Sequence, residues 1–267
     1  MKNGKYKILT KRHLAVALVL AFLLAVLVVI AAAAIPYAYA NAVASSRRKL
    51  PTYCTDRADQ VISITFDAAW GDEDTQELID ILARYNAKAT FFVTGEWVDR
   101  CTDSVKALHD AGHEIMNHSD THPHMPALSR DEMIREINTC SDKIQAITGV
   151  RPPLFRAPYG DYDNSLIETA DMLKIACIQW DVDSLDWKGL SAGEITKRVT
   201  SQAASGSIVL FHNGTKNTPQ PLSEILRILQ EEGYTFLPVS EMIYTENYTL
   251  NHEGRQIFNG NPSLGPF

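Results

Sequence analysis

Alternation constrains this chain more than any other feature. Short runs rich in β-branched and aromatic residues fall at 61–66, 89–93, 114–117, 154–155, 175–180, 208–211 and 235–239. Amphipathic stretches of helical length lie between them, among them 75–85, 103–110, 129–149, 164–173 and 220–232. Seven strands alternating with helices predict a parallel sheet built from βα connections. Two helix starts are written out as capping boxes, Ser129-Arg130-Asp131-Glu132 and Ser191-Ala192-Gly193-Glu194. In each, the hydroxyl and the carboxylate three residues later satisfy each other's backbone N–H.

Polar residues recur just past the apolar runs. Asp67 follows the first, His118 and His122 the third, and Arg156 the fourth. Asp181, Asp183 and Asp186 follow the fifth, and His212 the sixth. In a parallel sheet the carboxyl ends of the strands share one rim, so these side chains are expected to meet there as an active site. Because they follow several strands rather than one switch point, a closed or nearly closed α/β barrel, a distorted (β/α) barrel of about seven parallel strands, is favoured over a doubly wound sheet.

The first 50 residues differ in kind. Lys2, Lys5, Lys7, Lys11 and Arg12 precede an unbroken apolar stretch at 14–35. As a helix it would run about 33 Å, enough to cross a bilayer. Residues 1–13 then read as a basic cytoplasmic segment and 14–35 as a transmembrane anchor or a signal peptide cut after Ala38-Tyr39-Ala40. The length of the stretch favours the anchor. The expected location is the cell membrane, single-pass with the remainder outside, or secretion if the segment is cut. Residues 36–58 read as a linker, 59–246 as the folded domain and 247–267 as an irregular tail. The net charge of −7, with no basic stripe, argues against nucleic acid as a partner. Cys54, Cys101, Cys140 and Cys177 form no metal-like pair, and an exported location permits disulfides of undetermined pairing.

His118 and His122 lie four residues apart, a spacing that lets both imidazoles face one divalent transition metal. His124 follows Pro123, which leaves its direction undetermined. Asp67 suits a metal ligand, a general base or a helix cap. Asp74 precedes Thr75 and suits a cap or a ligand. Arg156 is placed to clamp a carboxylate such as Asp67 in bidentate fashion. His212 has Asp183 or Asp186 as a partner that would raise its pKa toward use as an acid.

Five segments together carry a resemblance: Thr65-Phe66-Asp67, His118-Ser119-Asp120-Thr121-His122, Arg156-Ala157-Pro158-Tyr159-Gly160, Asp183-Ser184-Leu185-Asp186-Trp187 and Ile208-Val209-Leu210-Phe211-His212. In order and spacing they resemble the five motifs of polysaccharide deacetylases, the NodB-homology group or carbohydrate esterase family four, over roughly 59–244. The resemblance implies a distorted (β/α) barrel and metal-dependent removal of N-acetyl groups from a sugar polymer. It implies Asp67 as catalytic base, Arg156 as the residue orienting it, and His212 as catalytic acid tuned by Asp186. It further implies that the Tyr159 N–H helps hold the oxyanion, that His118 and His122 ligate the metal (zinc or cobalt), and that Trp187 and Trp70 line the substrate groove. One position departs from the pattern: Asp67 is followed by Ala68-Ala69-Trp70-Gly71, where the family has a second, metal-binding aspartate. The sequence is similar here to a subgroup, including sporulation-type deacetylases, with Trp-Gly after the first Asp. Asp74 or Asp72 is then expected to reach back to the metal, or water to take the position. An exported enzyme would meet the cell-wall glycan first, so N-acetylglucosamine or N-acetylmuramic acid of peptidoglycan is the expected substrate. A non-catalytic wall-binding domain and an O-acetyl sugar esterase are the alternatives.

Overall fold

In the computed structural model, which describes residues 16, 18–30, 32 and 48–260, one curled sheet of eight parallel strands carries almost all of the polar residues singled out above. Residues 16, 18–30 and 32 are helical (α1), and belong to a unit separate from the body of the protein, Lys49–Phe267. The basic segment 1–13, most of the linker and the ends of the apolar stretch 14–35 lie outside the described residues. Among the described residues no helix is long and apolar enough to cross a membrane.

The body runs β1 (Cys54–Thr55), β2 (Val61–Ala68), α2 (Thr75–Arg84), β3 (Thr90–Val93), α3 (Gly95–Arg100), α4 (Thr102–Asp110), β4 (Glu114–Asn117), α5 (Arg130–Thr148) and β5 (Leu154–Phe155). It continues with α6 (Asn164–Met172), β6 (Ala176–Cys177), β7 (Val182–Asp183), α7 (Ala192–Gln202), β8 (Ile208–His212), α8 (Pro219–Glu231), β9 (Thr235–Phe236), α9 (Val239–Met242), β10 (Tyr248–Leu250) and β11 (Arg255–Phe258). Both capping boxes form, with Ser129 and Ser191 accepting from the Glu132 and Glu194 amides.

The main sheet has the order β6-β5-β4-β3-β2-β8-β7, with β9 also on β2. Register explains why the site assembles. Asp67 lies opposite both His212 and Phe92, Val93 opposite Asn117, and Asn117 opposite Phe155. His118 and Arg156 therefore leave their strands at neighbouring points of the same rim. Side chains of a strand alternate between faces. On β2 the residues Ile62, Ile64, Phe66 and Ala68 pack outward into the core beneath the helices. Val61 points inward, into a floor made with Phe92, Met116, Leu154, Ile178, Ile208, Val239 and Met242. Continuing inward by twos from Val61, Met116, Leu154 and Ile208 leads to Asp67, His118, Arg156 and His212. The barrel is apolar at its floor and polar at its mouth.

Of the closed and nearly closed forms expected, the barrel takes the second: β6 and β7 end the ladder without pairing with each other. Near the floor, Thr52 bridges to Ile178 and Cys54 to Ser207 across that opening. The strand expected at 175–180 is only β6, because the chain turns to meet Thr52 at Ile178. The run 235–239 splits into β9 and α9 at Pro238, which sits at the helix N-cap and has no N–H for a ladder. Strand β7 was not expected; its Asp-Val-Asp sequence has low strand propensity and is held by β8.

The tail expected to be irregular contains a hairpin, β10 and β11, that pairs with β1, inside the expected linker. Neither strand shows period-two hydrophobicity, because the hairpin is organised by hydrogen bonds. Asn251 Oδ1 accepts the Glu253 and Arg255 amides in the turn. Gly254 there has φ +78°, and a Cβ would meet the Pro51 carbonyl at 2.8 Å. The four cysteines are free thiols. Burial pushes Cys54 and Cys177 up to about 12.

Gln256 holds this hairpin to the body. It is buried; its Oε1 accepts the Tyr244 N–H at 2.7 Å, and its amide nitrogen donates to the Tyr244 carbonyl at 3.1 Å. Replacing it with Ala leaves both backbone groups unpaired and is expected to cost about 1–3 kcal/mol, read as a lower midpoint in urea denaturation. An unchanged midpoint would mean that the hairpin unfolds independently of the barrel.

Candidate active site

At the barrel mouth Arg156 is fully buried and donates through Nη1 to Asp67 Oδ1 at 2.8 Å and to Thr65 Oγ1 at 2.9 Å. Its Nη2 donates to the Gln179 carbonyl at 3.1 Å. The expected bidentate clamp is thus a single-nitrogen contact, because the second nitrogen is held by the backbone. The guanidinium lies over the Phe92 ring at 4.1 Å. Burial alone would raise the Asp67 pKa. The charge of Arg156, with smaller contributions from His118 and His212, outweighs it and holds the carboxyl below its ordinary range.

His118 Nδ1 lies 2.8 Å from the Arg156 carbonyl, and its Nε2 lies 3.6 Å from Asp67 Oδ2. His122 meets His118 edge to face at 5.0 Å between centroids. The loop joining them is tied down by its own polar groups. Ser119 N–H donates to Asn117 Oδ1, His122 N–H to Ser119 Oγ, and the Asp120 and Thr121 amides to Glu136 on α5. Burial lowers the pKa of both imidazoles, that of His122 to about 4 with help from His118.

On the facing wall His212 Nδ1 lies 2.8 Å from Asp186 Oδ1, and its backbone N–H donates to Asp186 Oδ2 at 2.8 Å. Thr218 Oγ1 donates to the same Oδ2 at 2.7 Å. Burial would lower the His212 pKa, but its hydrogen bond and attraction to Asp186 outweigh that and raise it. Of the three aspartates expected here, Asp186 is the partner and Asp183 lines the cleft. Asp181 is displaced to the floor, where it accepts from Ile208 N–H and Ser207 Oγ, because β7 pairs Val182 with Val209 and so sets Asp181 level with the start of β8.

A cleft of about 630 Å³ joins these groups. Its walls include Trp70, Tyr159 and Trp187, which are 57%, 60% and 58% exposed. Tyr159 packs against His122 at 4.6 Å and stacks on His124 at 4.2 Å. Its backbone is left-handed, φ +61°. The turn's own bonds run from the Gly160 and Asp161 amides, so the Tyr159 N–H is not among them.

The donor set at the mouth suits a divalent metal in part. A Nδ1 tied to a carbonyl leaves Nε2 of His118 with the free lone pair, the usual state of a ligating histidine. Two neutral imidazoles therefore fit a transition metal. A catalytic metal commonly takes a third protein ligand, and among the described residues no three His, Cys, Asp or Glu side chains are grouped to hold an ion. Asp74 stands at the N-cap position of α2, but its side chain is turned to another partner. Both its oxygens lie 2.9 Å from the Gly214 N–H, and it makes no side-chain cap to α2. Asp72 accepts from Ser104 Oγ, and Ala68 is buried in the outer core.

Sequence reasoning missed Thr65, Trp180, Asn213 and Thr218. Thr65 lies two residues before Asp67, so the period of a strand would have placed it on the same face. The other three are set by loop geometry that leaves no sequence pattern.

The family model described as polysaccharide deacetylase matches residues 55–178. The chain is 31% identical over 188 residues to a peptidoglycan-N-acetylglucosamine deacetylase of Bacillus cereus, covering 69% of this chain and 68% of that one. The chain belongs to the polysaccharide deacetylase family. Within this family it is 34% identical to the peptidoglycan-N-acetylmuramic acid deacetylase PdaC of Bacillus subtilis over 70% of its own length, but spans only 39% of that relative. Among solved structures, a CE4 family pseudoenzyme from Bacillus anthracis is similar at 32% identity and a TM-score of 0.70, covering 72% of this chain and 68% of that one. A mutant of that pseudoenzyme with restored enzymatic activity matches at 33% identity and the same TM-score of 0.70.

The buried pair gives a direct test of this deacetylase-family site. Arg156→Met leaves the Asp67 carboxylate buried without its cation, and breaking such a pair costs about 3–5 kcal/mol. Chemical denaturation is expected to show a loss of that size, and a loss under about 1 kcal/mol would mean that Asp67 is solvated in the free protein.

Proposed function

We propose that the folded body hydrolyses N-acetyl groups on a cell-wall glycan, with N-acetylglucosamine or N-acetylmuramic acid of peptidoglycan as the reacting sugar. One observation carries the proposal. Asp67, its pKa lowered by Arg156, and His212, its pKa raised by Asp186, face one cleft from paired positions on adjacent strands. An amide needs both a base for the attacking water and an acid for its poor leaving group.

Asp67 takes a proton from water as the oxygen adds to the acyl carbon, and Arg156 keeps that carboxylate ionised. The Tyr159 N–H donates to the oxyanion. His212 gives its proton to the sugar nitrogen as the C–N bond breaks, leaving acetate and a free amine. Trp70, Tyr159 and Trp187 present ring faces for a pyranose. His118 and His122 are the residues that would hold a divalent metal, zinc or cobalt, whose chemistry when bound is to polarise the acyl carbonyl and acidify water. The basic residues 1–13 and the apolar residues 14–35 support an anchored domain facing away from the cytoplasm, or a secreted one if that segment is cut. The names of the relatives support peptidoglycan as the substrate.

A second reading, a wall-binding domain without turnover, is favoured by the two-imidazole donor set and by the likeness to a pseudoenzyme. Acetate release from N-acetylglucosamine oligomers and from peptidoglycan, with and without added zinc or cobalt, separates the two. Under the first reading Asp67→Asn and His212→Ala each lower kcat/KM by about 10²–10⁴-fold. Glycan binding without acetate release by a folded, metal-loaded chain would favour the second.

The pH profile follows from the two shifts. The active form has Asp67 ionised and His212 protonated. Activity is therefore expected to hold down to a pH below the usual carboxylate value of about 3.9 and to fall on the alkaline side only above the ordinary histidine value of about 6.5. An alkaline limb below that value would count against His212 as the acid.

A further inference from the structure

The carboxylate that the sequence offers as a third metal ligand is committed elsewhere. Asp74 is buried, and both of its oxygens lie 2.9 Å from the backbone N–H of Gly214, two residues past His212. A second contact joins the same two loops: Asn213 Nδ2 donates to the Gly71 carbonyl at 2.8 Å. That carbonyl also accepts from Trp97 Nε1 at 2.9 Å. The backbones are nearly touching. A Cβ on Gly214, whose φ is +67°, would lie 2.9 Å from Gly71 N and 3.0 Å from its Cα. The far end of the loop is fastened too, through Thr215 Oγ1 to Thr218 Oγ1 and from Thr218 to Asp186. The segment 213–218 is thus held at one end by Asp74 and at the other by the carboxylate that binds the His212 ring.

We infer that Asp74 is a positioning residue for His212, acting through the Gly214 amide and fastening the Trp70 loop to the His212 loop. The acid role of His212 rests on the function proposed above; the fastening of its peptide does not. With Asp74 in place, the aromatic wall at Trp70 and the imidazole at His212 keep a fixed separation. Without it, the Gly214 N–H loses its acceptor at a partly buried joint, and the Thr218–Asp186–His212 chain loses one of its two anchors.

The test is the His212 imidazole titration, followed by NMR in the metal-free full-length chain. Asp186, Asp67 and Asp183 are the charged groups that set this titration in the wild type. Asp74→Ala is expected to move the His212 pKa down toward the ordinary value of about 6.5. Asp74→Asn keeps an acceptor for Gly214 N–H and is expected to restore it. Where acetate release is measurable, kcat should fall about tenfold in Asp74→Ala, with KM little changed and Asp74→Asn recovering. If Asp74→Ala does not fold, Asn213→Ser releases the Gly71 contact and should shift His212 in the same direction. An unmoved His212 titration in folded Asp74→Ala or Asn213→Ser would overturn the inference. If Asp74→Ala also loses bound zinc while His212 stays unmoved, Asp74 is a ligand instead. Neither outcome depends on turnover, so a chain without deacetylase activity still decides the point.

Discussion

The ion pair between Arg156 and Asp67 is the constraint on which the barrel mouth depends. Two charges withdrawn from water are costly unless close hydrogen bonds offset the loss. The pair therefore recruits Thr65 from β2, the Gln179 carbonyl from the segment after β6 and the Phe92 face from β3. The same arginine acts a second time through its own carbonyl, which fixes the His118 ring. One residue thus sets the charge of Asp67 with its side chain and the tautomer of its neighbour with its backbone. The arginine's charge keeps the Asp67 carboxyl low, while burial lowers the pKa of His118, whose Nε2 lies 3.6 Å away.

The facing wall solves the opposite problem. His212 is partly buried, which would lower its pKa, and Asp186 raises it by binding the ring while also holding the peptide of the same residue. Strain collects around these groups. Of the seven non-glycine residues with positive φ among the described residues, four (Ser119, His122, Tyr159 and Leu185) lie in the loops that form the cleft. Left-handed backbone at bulky residues is costly. It persists here because Asn117, Glu136 and the β4–α5 packing hold one loop, and the β7–β8 ladder holds another.

The strand-and-helix rhythm, both capping boxes and the set of polar residues at the mouth were legible in the sequence. They rest on local periodicity and on the shared rim of a parallel sheet. Asp181 was misplaced because sequence order after a strand does not say where the next strand begins; two residues of β7 set it at the floor. The partner of Asp74 was hidden for a related reason: Gly214 is 140 residues away and offers only a backbone amide, which no side-chain pattern announces. The hairpin at β10 and β11 was invisible because hydrogen bonds organise it, through Asn251 and Gln256, where a hydrophobic stripe would have been seen.

The joining of β1 to β11, with Thr52 and Cys54 reaching across the gap between the sheet's edges, has a mechanical meaning. Chain entering the body at residue 49 reaches the barrel at the end of β8 opposite His212, and the hairpin near the carboxyl end is fastened at that same end. A tether pulling on the chain from upstream would load a hydrogen-bonded seam at the floor. The mouth lies at the other end of β8, where Asp67 and His212 pair, away from that seam.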